Sequence, residues 1–109
     1  MMIHVWYKEP GKIGHDRWIK NELHVFQELV GGHIEVVRLR KSPDYCLIVN
    51  EEGLLNSLAL NLVVGDNFLF GPIVVVGLLH GEDGDEFTSC NLKADQVRRM
   101  ILKEGKIHG

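Results

Sequence analysis

Arginine and tryptophan side chains in the first half of the chain are the residues best suited to hold a ligand. Arg38 and Arg40 lie two residues apart in the segment RLRK, and Trp6 and Trp18 lie in two segments predicted to form the first hairpin. A guanidinium group forms paired hydrogen bonds with phosphate, and an aromatic ring stacks on a base. These four residues therefore predict a nucleotide site. The alternative, which we favour, is that the tryptophans fill the core and the arginines are solvated.

The segment IVNEEG carries an apolar run into an amide, two carboxylates and a glycine. Asn50 at the first position and Gly53 at the fourth position are typical of a type I turn, and we expect Gly53 to adopt a positive φ that closes a hairpin. Glu51 and Glu52 are adjacent and point apart, so they form a poor acid/base pair. We interpret the segment as a turn. Asn50, with Asn61 further along the chain, stays a candidate polar group for binding a ligand.

Other residues with catalytic or metal-binding chemistry are scattered. The six histidines form no HxxxH or HxH pair, and the acidic run at residues 82–86 lacks the alternating oxygen ligands of a calcium loop. Cys46, Cys90, Ser57 and Ser89 stand outside any GxSxG elbow. The sequence therefore predicts no catalytic residue, no metal site and no cofactor.

Length and composition predict one soluble domain. The 109 residues, 45% hydrophobic and 25% charged, are enough to bury a core without a second domain. The net charge of -3 argues against broad nucleic-acid binding, which needs a surplus of lysine and arginine. No apolar run approaches the ~18 residues of a membrane span, and the two cysteines form no CxxC motif. We expect a cytoplasmic protein with reduced thiols, one α+β domain over residues 1–109, and no membrane association.

The periodicity of apolar residues predicts the order of strands and helices. β-branched and aromatic residues predict strands at residues 2–8, 15–20, 33–40, 45–49 and 71–79. Helical spacing predicts one helix that begins after an Asn21 cap and ends at Gly31, and a last helix that ends at Gly105. We interpret residues 54–70 as an irregular crossing with a short helical turn, and residues 87–89 as a short edge strand. The expected fold class is α+β, with a mainly antiparallel sheet of about five strands and two helices.

Four stretches in order carry a resemblance to a known family: ELVGGHIEVVRL, LIVNEEGLL, FGPIVVVG and GDEFTS. Over residues 20–100 the chain resembles the small domains of unknown function numbered 3846, which are found largely in bacteriophages and other mobile elements of bacteria. The resemblance implies an α+β domain and a mobile-element origin, and it supplies no established activity and no catalytic residues. Lys93 stands where that family often has Thr or Asp at the start of the last helix, so we expect the helix cap at Asn91.

The expected function follows from that origin and from the lack of a catalytic motif in the sequence. We expect a small binding or interaction protein in the cytosol of a bacterial host, which blocks or sequesters a component of host defence. The first alternative is a nucleotide-binding module that sequesters a small phosphorylated signal, and the second is an enzyme of unknown reaction. The partner would be a host protein or a small nucleotide. Exposed strand edges and the β-branched run at residues 73–76 also predict a homodimer.

Overall fold

The computed structural model describes residues 1–107 of the chain. This part contains nine strands and two helices, which confirms the predicted α+β class. The strands are β1 (Met2–Lys8), β2 (His15–Lys20), β3 (Ile34–Arg38), β4 (Tyr45–Asn50), β5 (Leu60–Val64), β6 (Asn67–Phe70), β7 (Ile73–Gly81), β8 (Gly84–Thr88) and β9 (Gly105–Ile107). The helices are α1 (Leu23–Val30) and α2 (Ala94–Glu104).

The larger sheet is antiparallel and has the order β2-β1-β7-β4-β3. β1 and β2 form the predicted hairpin, in which Met2 pairs with Lys20. β8 pairs with the second half of β7 through a two-residue turn, so the edge strand predicted at residues 87–89 begins earlier, at Gly84. The strand predicted at residues 33–40 is shorter and forms β3, one edge of this sheet.

Strand β7 lies in the centre of the larger sheet because its sequence is apolar on both faces. Ile73 and Val75 point to one face and are fully buried. Val74, Val76 and Leu78 point to the other face and are also buried. Since side chains alternate along a strand, such a segment is stable only where both faces of the sheet are covered.

Two separate cores cover the two faces of the larger sheet. On one face, Phe26 and Val30 of α1 pack against the strands. On the other face, Val97 and Ile101 of α2 and Leu62 of the smaller sheet form the core. The larger sheet is therefore the middle of three layers.

The smaller sheet corrects the interpretation of residues 54–70 as an irregular crossing. β5 and β6 form a hairpin there, and β9 pairs with the other side of β5. Gly65 has a φ of 58° at the first position of the two-residue turn, where glycine is favoured in hairpins. The pairing shifts between Leu60 and Leu62. Because of this irregularity, the polar Asn61 is buried in the protein interior. The alternation of polar and apolar residues that would predict a strand is therefore interrupted.

The Asn50 segment is a turn, as predicted, but it does not close a hairpin. The Gly53 N–H donates to the Asn50 carbonyl at 3.4 Å, and the chain then leaves the larger sheet for β5. The expectation of a positive φ at Gly53 is wrong. Glycine is required there for a different reason, because a Cβ atom would lie 2.5 Å from the carbonyl oxygen of Phe70.

The N-terminal cap residues of both helices differ from the predicted ones, because they depend on contacts that the local sequence does not indicate. The cap residue of α1 is Glu22 rather than Asn21, because the Asn21 side chain donates to the Phe87 carbonyl at 2.9 Å. The cap of α2 is Lys93 rather than Asn91. There the side-chain oxygen of Gln96 accepts a hydrogen bond from the Lys93 N–H at 2.8 Å, which is one half of a capping box.

Replacing Gly53 with Ala is expected to lower the free energy of unfolding by about 1–3 kcal/mol, because the new methyl group presses on the Phe70 backbone. The neighbouring Glu52→Ala removes an exposed side chain and is expected to change stability by less than about 0.5 kcal/mol. Urea unfolding of both variants and the wild type measures the difference. Equal stability of Gly53→Ala and wild type would contradict the tight contact.

Candidate functional site

Arg38 lies at the exposed end of β3 and forms an ion pair with Asp85 of β8, with 2.9 Å between Nη1 and Oδ2. The other carboxylate oxygen of Asp85 lies 2.9 Å from Nδ1 of His80. Nε2 of His80 lies 3.1 Å from the Pro43 carbonyl. The hydrogen bond to Asp85 raises the pKa of His80, since both nitrogens of the imidazolium form can donate in this position. The guanidinium of Arg38 is therefore engaged in a surface ion cluster.

Arg40 lies on a basic depression of about 620 Å³ at the junction of the two sheets. We define this depression by Arg40, Lys41, Lys103 and Glu104, and Arg38 also lines it. The Nζ of Lys41 donates to the Lys103 carbonyl at 3.0 Å, and the Lys41 N–H donates to the Glu104 carboxylate at 3.1 Å. Arg40 has no ion-pair partner among residues 1–107. The guanidinium of Arg40 is thus available to an anion in the depression.

The two tryptophans lie on the same face of the β1–β2 hairpin in different surroundings. Trp18 is 64% exposed, and its ring centroid lies 5.1 Å from that of His4. Trp6 is only 6% exposed, and no described residue accepts a hydrogen bond from its Nε1. An interior N–H without an acceptor costs about 1–3 kcal/mol. Arg38 and Arg40 line the basic depression while Trp6 lines a different cavity, so the predicted nucleotide residues do not surround one cavity.

Asn50 is buried and uses both of its polar groups within the fold. Its Nδ2 donates to the Val30 carbonyl at 3.1 Å, at the end of α1. Its Oδ1 accepts from the Glu52 N–H at 2.8 Å. An Asn side chain bonded to the backbone two residues ahead stabilises a turn. Asn50 therefore fixes the turn and attaches it to α1.

Asn61 lies fully buried beneath β1 and holds the ammonium group of Lys8. The Nζ of Lys8 donates to Asn61 Oδ1 at 2.6 Å. The Nδ2 of Asn61 donates to the carbonyls of Lys8 and Gly71, each at 2.9 Å. Burial lowers the pKa of Lys8. Sequence reasoning missed Lys8, although its position on the same face of β1 as Trp6 is a signal that it points inward.

A groove of about 240 Å³, lined by both polar and apolar residues, opens between β3 and β6. We call it the Phe68 groove, and its lining residues are Glu35, Val49, Asn50, Glu51, Gly53, Leu54 and residues 67–70. Leu54 is 68% exposed and Phe68 is 61% exposed, and the adjacent Leu55 is 80% exposed. Large apolar side chains grouped on a surface often mark a binding site.

The Phe68 groove exists because the smaller sheet does not cover the whole face of the larger one. Glu35 and Val37 lie on the same face of β3, yet Val37 is buried and Glu35 is exposed. The cover provided by the smaller sheet therefore ends between these two residues. Sequence reasoning missed the groove, since the hairpin that forms one wall was interpreted as irregular.

Residues suited to enzymatic chemistry are dispersed in the described part of the chain. Cys46 is buried, which raises its pKa to about 11 and makes its thiol a poor nucleophile at neutral pH. Burial also raises the pKa of Cys90. The histidine side chains of residues 1–107 do not hydrogen-bond to Cys90, Glu51 or Glu52.

Among residues 1–107, no three His, Cys, Asp or Glu side chains are placed to hold a metal ion. Neither helix of this part of the chain combines the length and the apolar character that crossing a membrane requires.

Comparison with known proteins gives one family. The family model described as Domain of unknown function (DUF3846) matches residues 3–102, which is nearly the whole chain. Neither curated proteins nor solved structures gave a match to the chain.

Replacing Asn61 with Leu is expected to destabilise the fold by about 2–4 kcal/mol, because Lys8 then loses its buried acceptor. Adding Lys8→Met to Asn61→Leu should recover part of this loss, since the buried charge is removed as well. Urea unfolding of the four proteins in a double-mutant cycle is expected to give a coupling energy of about 1 kcal/mol or more. Asn56→Leu, at an exposed asparagine, serves as the control. Strict additivity of the two substitutions would contradict the role of Asn61.

Proposed function

The chain belongs to the DUF3846 family, and from this premise we propose that it is a small binding protein that holds an extended segment of another protein in the Phe68 groove. The observation that carries the proposal is that two exposed apolar side chains, Leu54 and Phe68, line one groove with Glu35 of the edge strand β3. The protein acts in the cytosol of a bacterial host on behalf of a mobile element. It blocks or sequesters a component of host defence.

The apolar side chains supply the binding energy in this proposal. Covering a Leu or Phe side chain contributes about 1.5–3 kcal/mol when it is fully removed from water. Phe68 and Leu54 line the groove together, so one partner segment can cover both. Aromatic side chains of this kind are frequent anchors in protein interfaces.

Backbone groups at the free edge of β3 can orient the partner segment through hydrogen bonds. The Glu51 N–H donates to the His33 carbonyl at 2.8 Å, so His33 and Glu51 form a hydrogen-bonded pair of the β3–β4 ladder. Because such pairs alternate along an antiparallel ladder, the backbone groups of Ile34, Val36 and Arg38 point away from β4. A partner in extended conformation can pair with these groups as an added strand.

The acidic rim of the groove favours a basic partner. Glu35 and Glu51 line the groove and Glu52 follows them in the turn. All three are exposed, and none forms an ion pair within residues 1–107. Complementary charge accelerates association and makes it sensitive to salt. We therefore expect the partner segment to combine apolar residues with lysine or arginine.

The choice of a host defence protein is supported by the mobile-element setting that the sequence resemblance implies. Proteins of such elements act inside a host cell, where host proteins are the available partners. The dispersed histidine and cysteine side chains described above are compatible with a role in binding rather than in catalysis.

Phe68→Asp is expected to abolish capture of the partner and protection of a phage against host defence. A charge at position 68 disrupts an apolar contact, and as an exposed side chain its change has little effect on folding. The control is Leu79→Asp, because Leu79 is 58% exposed and lies outside the groove. Affinity capture from host lysate with mass spectrometry, together with plaque counts on defended cells, provides the two measurements.

Three outcomes of this experiment are distinct. A protein captured by wild type and Leu79→Asp, lost with Phe68→Asp and released by salt supports the proposal. Equal capture and equal plaque counts for both variants would contradict it. A dimer mass in light scattering that Phe68→Asp converts to a monomer would assign the groove to a second copy of the chain instead, as in the homodimer expected from the sequence.

A second candidate function is the capture of a small phosphorylated signal in the basic depression. The observation that favours it is the grouping of Arg40, Lys41 and Lys103 around a volume of about 620 Å³, which lies within the range of small-molecule sites. Trp6 and Trp18 do not line this depression. Phosphate recognition is therefore better supported there than stacking of a base.

A further inference from the structure

Strand β2 forms the edge of the larger sheet on the side opposite to β3. It stands at one end of the strand order, and in residues 1–107 it pairs with β1 alone. An edge strand presents a row of backbone N–H and C=O groups that can pair with another chain. The Phe68 groove is lined by β3 and β6, so the edge of β2 is a separate interaction surface.

The backbone groups of every second residue of β2 point away from the sheet. Met2 pairs with Lys20 in the register, and at the next pair the Asn21 N–H donates to the Met1 carbonyl at 2.9 Å. Because hydrogen-bonded pairs alternate along an antiparallel ladder, every second residue counted back from Asn21 bonds to β1. The residues in between, whose N–H and C=O groups point to the free side, are Asp16, Trp18 and Lys20.

The side chains of the same three residues share one face of the strand and are all exposed. A carboxylate, an aromatic ring and an ammonium group therefore follow one another at intervals of two residues. Trp18, in the middle, is 64% exposed. This order of charges is complementary to its own reverse, which is the order that a second copy of the strand presents when it lies antiparallel.

We propose that β2 is the interface of a homodimer, in which β2 of a second copy lies antiparallel to it across a twofold axis at Trp18. The two Trp18 side chains then lie opposite each other, and Asp16 of each copy lies opposite Lys20 of the other. Aromatic pairs and pairs of opposite charge stabilise neighbouring strands. Because both copies use the same surface, the charge pair occurs twice in one dimer.

Charge selects this register over its two neighbours. The outward backbone groups meet only where residues 16, 18 and 20 lie opposite one another, so the register changes in steps of two residues. One step in one direction places Arg17 opposite Arg17 of the second copy, and like charges in this position are destabilising. One step in the other direction places Lys20 opposite Trp18 and leaves Asp16 without a cation. The register centred on Trp18 therefore satisfies both charges.

The existing contacts of these residues are compatible with the dimer. The Oδ2 atom of Asp16 lies 2.8 Å from Nε2 of His4, and a carboxylate accepts from several donors. The hydrogen bond to His4 lowers the pKa of Asp16, so the side chain is anionic at neutral pH. The Lys20 carbonyl accepts from the Glu22 N–H at 2.9 Å, and a carbonyl oxygen has a second lone pair for a donor from the other copy.

The test measures self-association of the full-length protein by sedimentation velocity over a range of concentrations. The wild type is expected to pass from monomer to dimer as concentration rises. Asp16→Lys and Lys20→Asp each place two pairs of like charge in the interface and are expected to weaken dimerisation at least about tenfold. An equimolar mixture of the two variants restores opposite charges at both positions and is expected to form a heterodimer. Glu82→Lys, a charge reversal in the exposed turn after β7, is the control and is expected to dimerise like the wild type.

Three results would overturn the proposal: a wild type that stays monomeric up to its solubility limit, a single variant that dimerises as tightly as the wild type, or a mixture that stays monomeric. Urea unfolding confirms that each variant is folded. If a single variant is unfolded, the protein carrying both substitutions replaces the mixture, since it also restores the charge pairs, and its failure to dimerise would overturn the proposal.

Phe68→Asp separates this interface from the Phe68 groove. The substitution leaves β2 unchanged, so the dimer is expected to persist in this variant. A dimer that Phe68→Asp dissociates and Asp16→Lys does not would locate the interface in the groove and overturn the proposal. Absence of a β2 dimer has no bearing on capture of a host protein by the groove, so the two proposals fail independently.

Discussion

Burial of β7 on both faces is the constraint on which the rest of the structure depends. Each Val or Ile of this strand contributes about 1.5–3 kcal/mol when fully covered, and the residues from Ile73 to Val76 are all fully buried. Neither face can be left in water, so the chain must supply two covering layers. α1 covers one face, and α2 with the smaller sheet covers the other.

The buried polar side chains lie where the covering layers meet the strands of the larger sheet. The Phe68 groove lies where the smaller sheet ends and leaves part of the larger sheet uncovered. Asn61 and Lys8 hydrogen-bond at the junction between the smaller sheet and β1. Asn50 attaches the turn after β4 to the end of α1. The Phe68 groove opens at the corner where the smaller sheet stops short of Glu35. In this account, the surface available for docking a partner is a direct consequence of incomplete cover over the larger sheet.

Local signals in the sequence were sufficient for much of the larger sheet. β1 is rich in β-branched and aromatic residues, β2 shows partial alternation, and the two strands end at Lys8 and Lys20 as predicted. β7 is an unbroken apolar run, and Gly31 ends α1 in the left-handed conformation that a glycine cap requires. These features depend on neighbouring residues only, which explains why local composition and pattern predicted them.

The features that the sequence concealed depend on residues distant in the chain. β5 pairs with β9 across about forty residues, and the bulge beside Asn61 interrupts its alternation. Trp6 and Trp18 occupy the same face of one hairpin, and only the packing of the core over Trp6 makes their exposure differ. The walls of the Phe68 groove come from β3 and β6, so no single segment of sequence indicates it.

Amide hydrogen exchange of the protein alone tests the central claim most directly, namely that a strand covered on both faces coexists with an open edge at β3. Val75 is expected to exchange slowest, at the rate set by global unfolding. Val37 should be protected through its pairing with Leu47, and Val36, whose N–H points away from β4, should exchange as fast as an exposed loop. Protection of Val36 equal to that of Val75 would show that the edge is covered and would contradict the account.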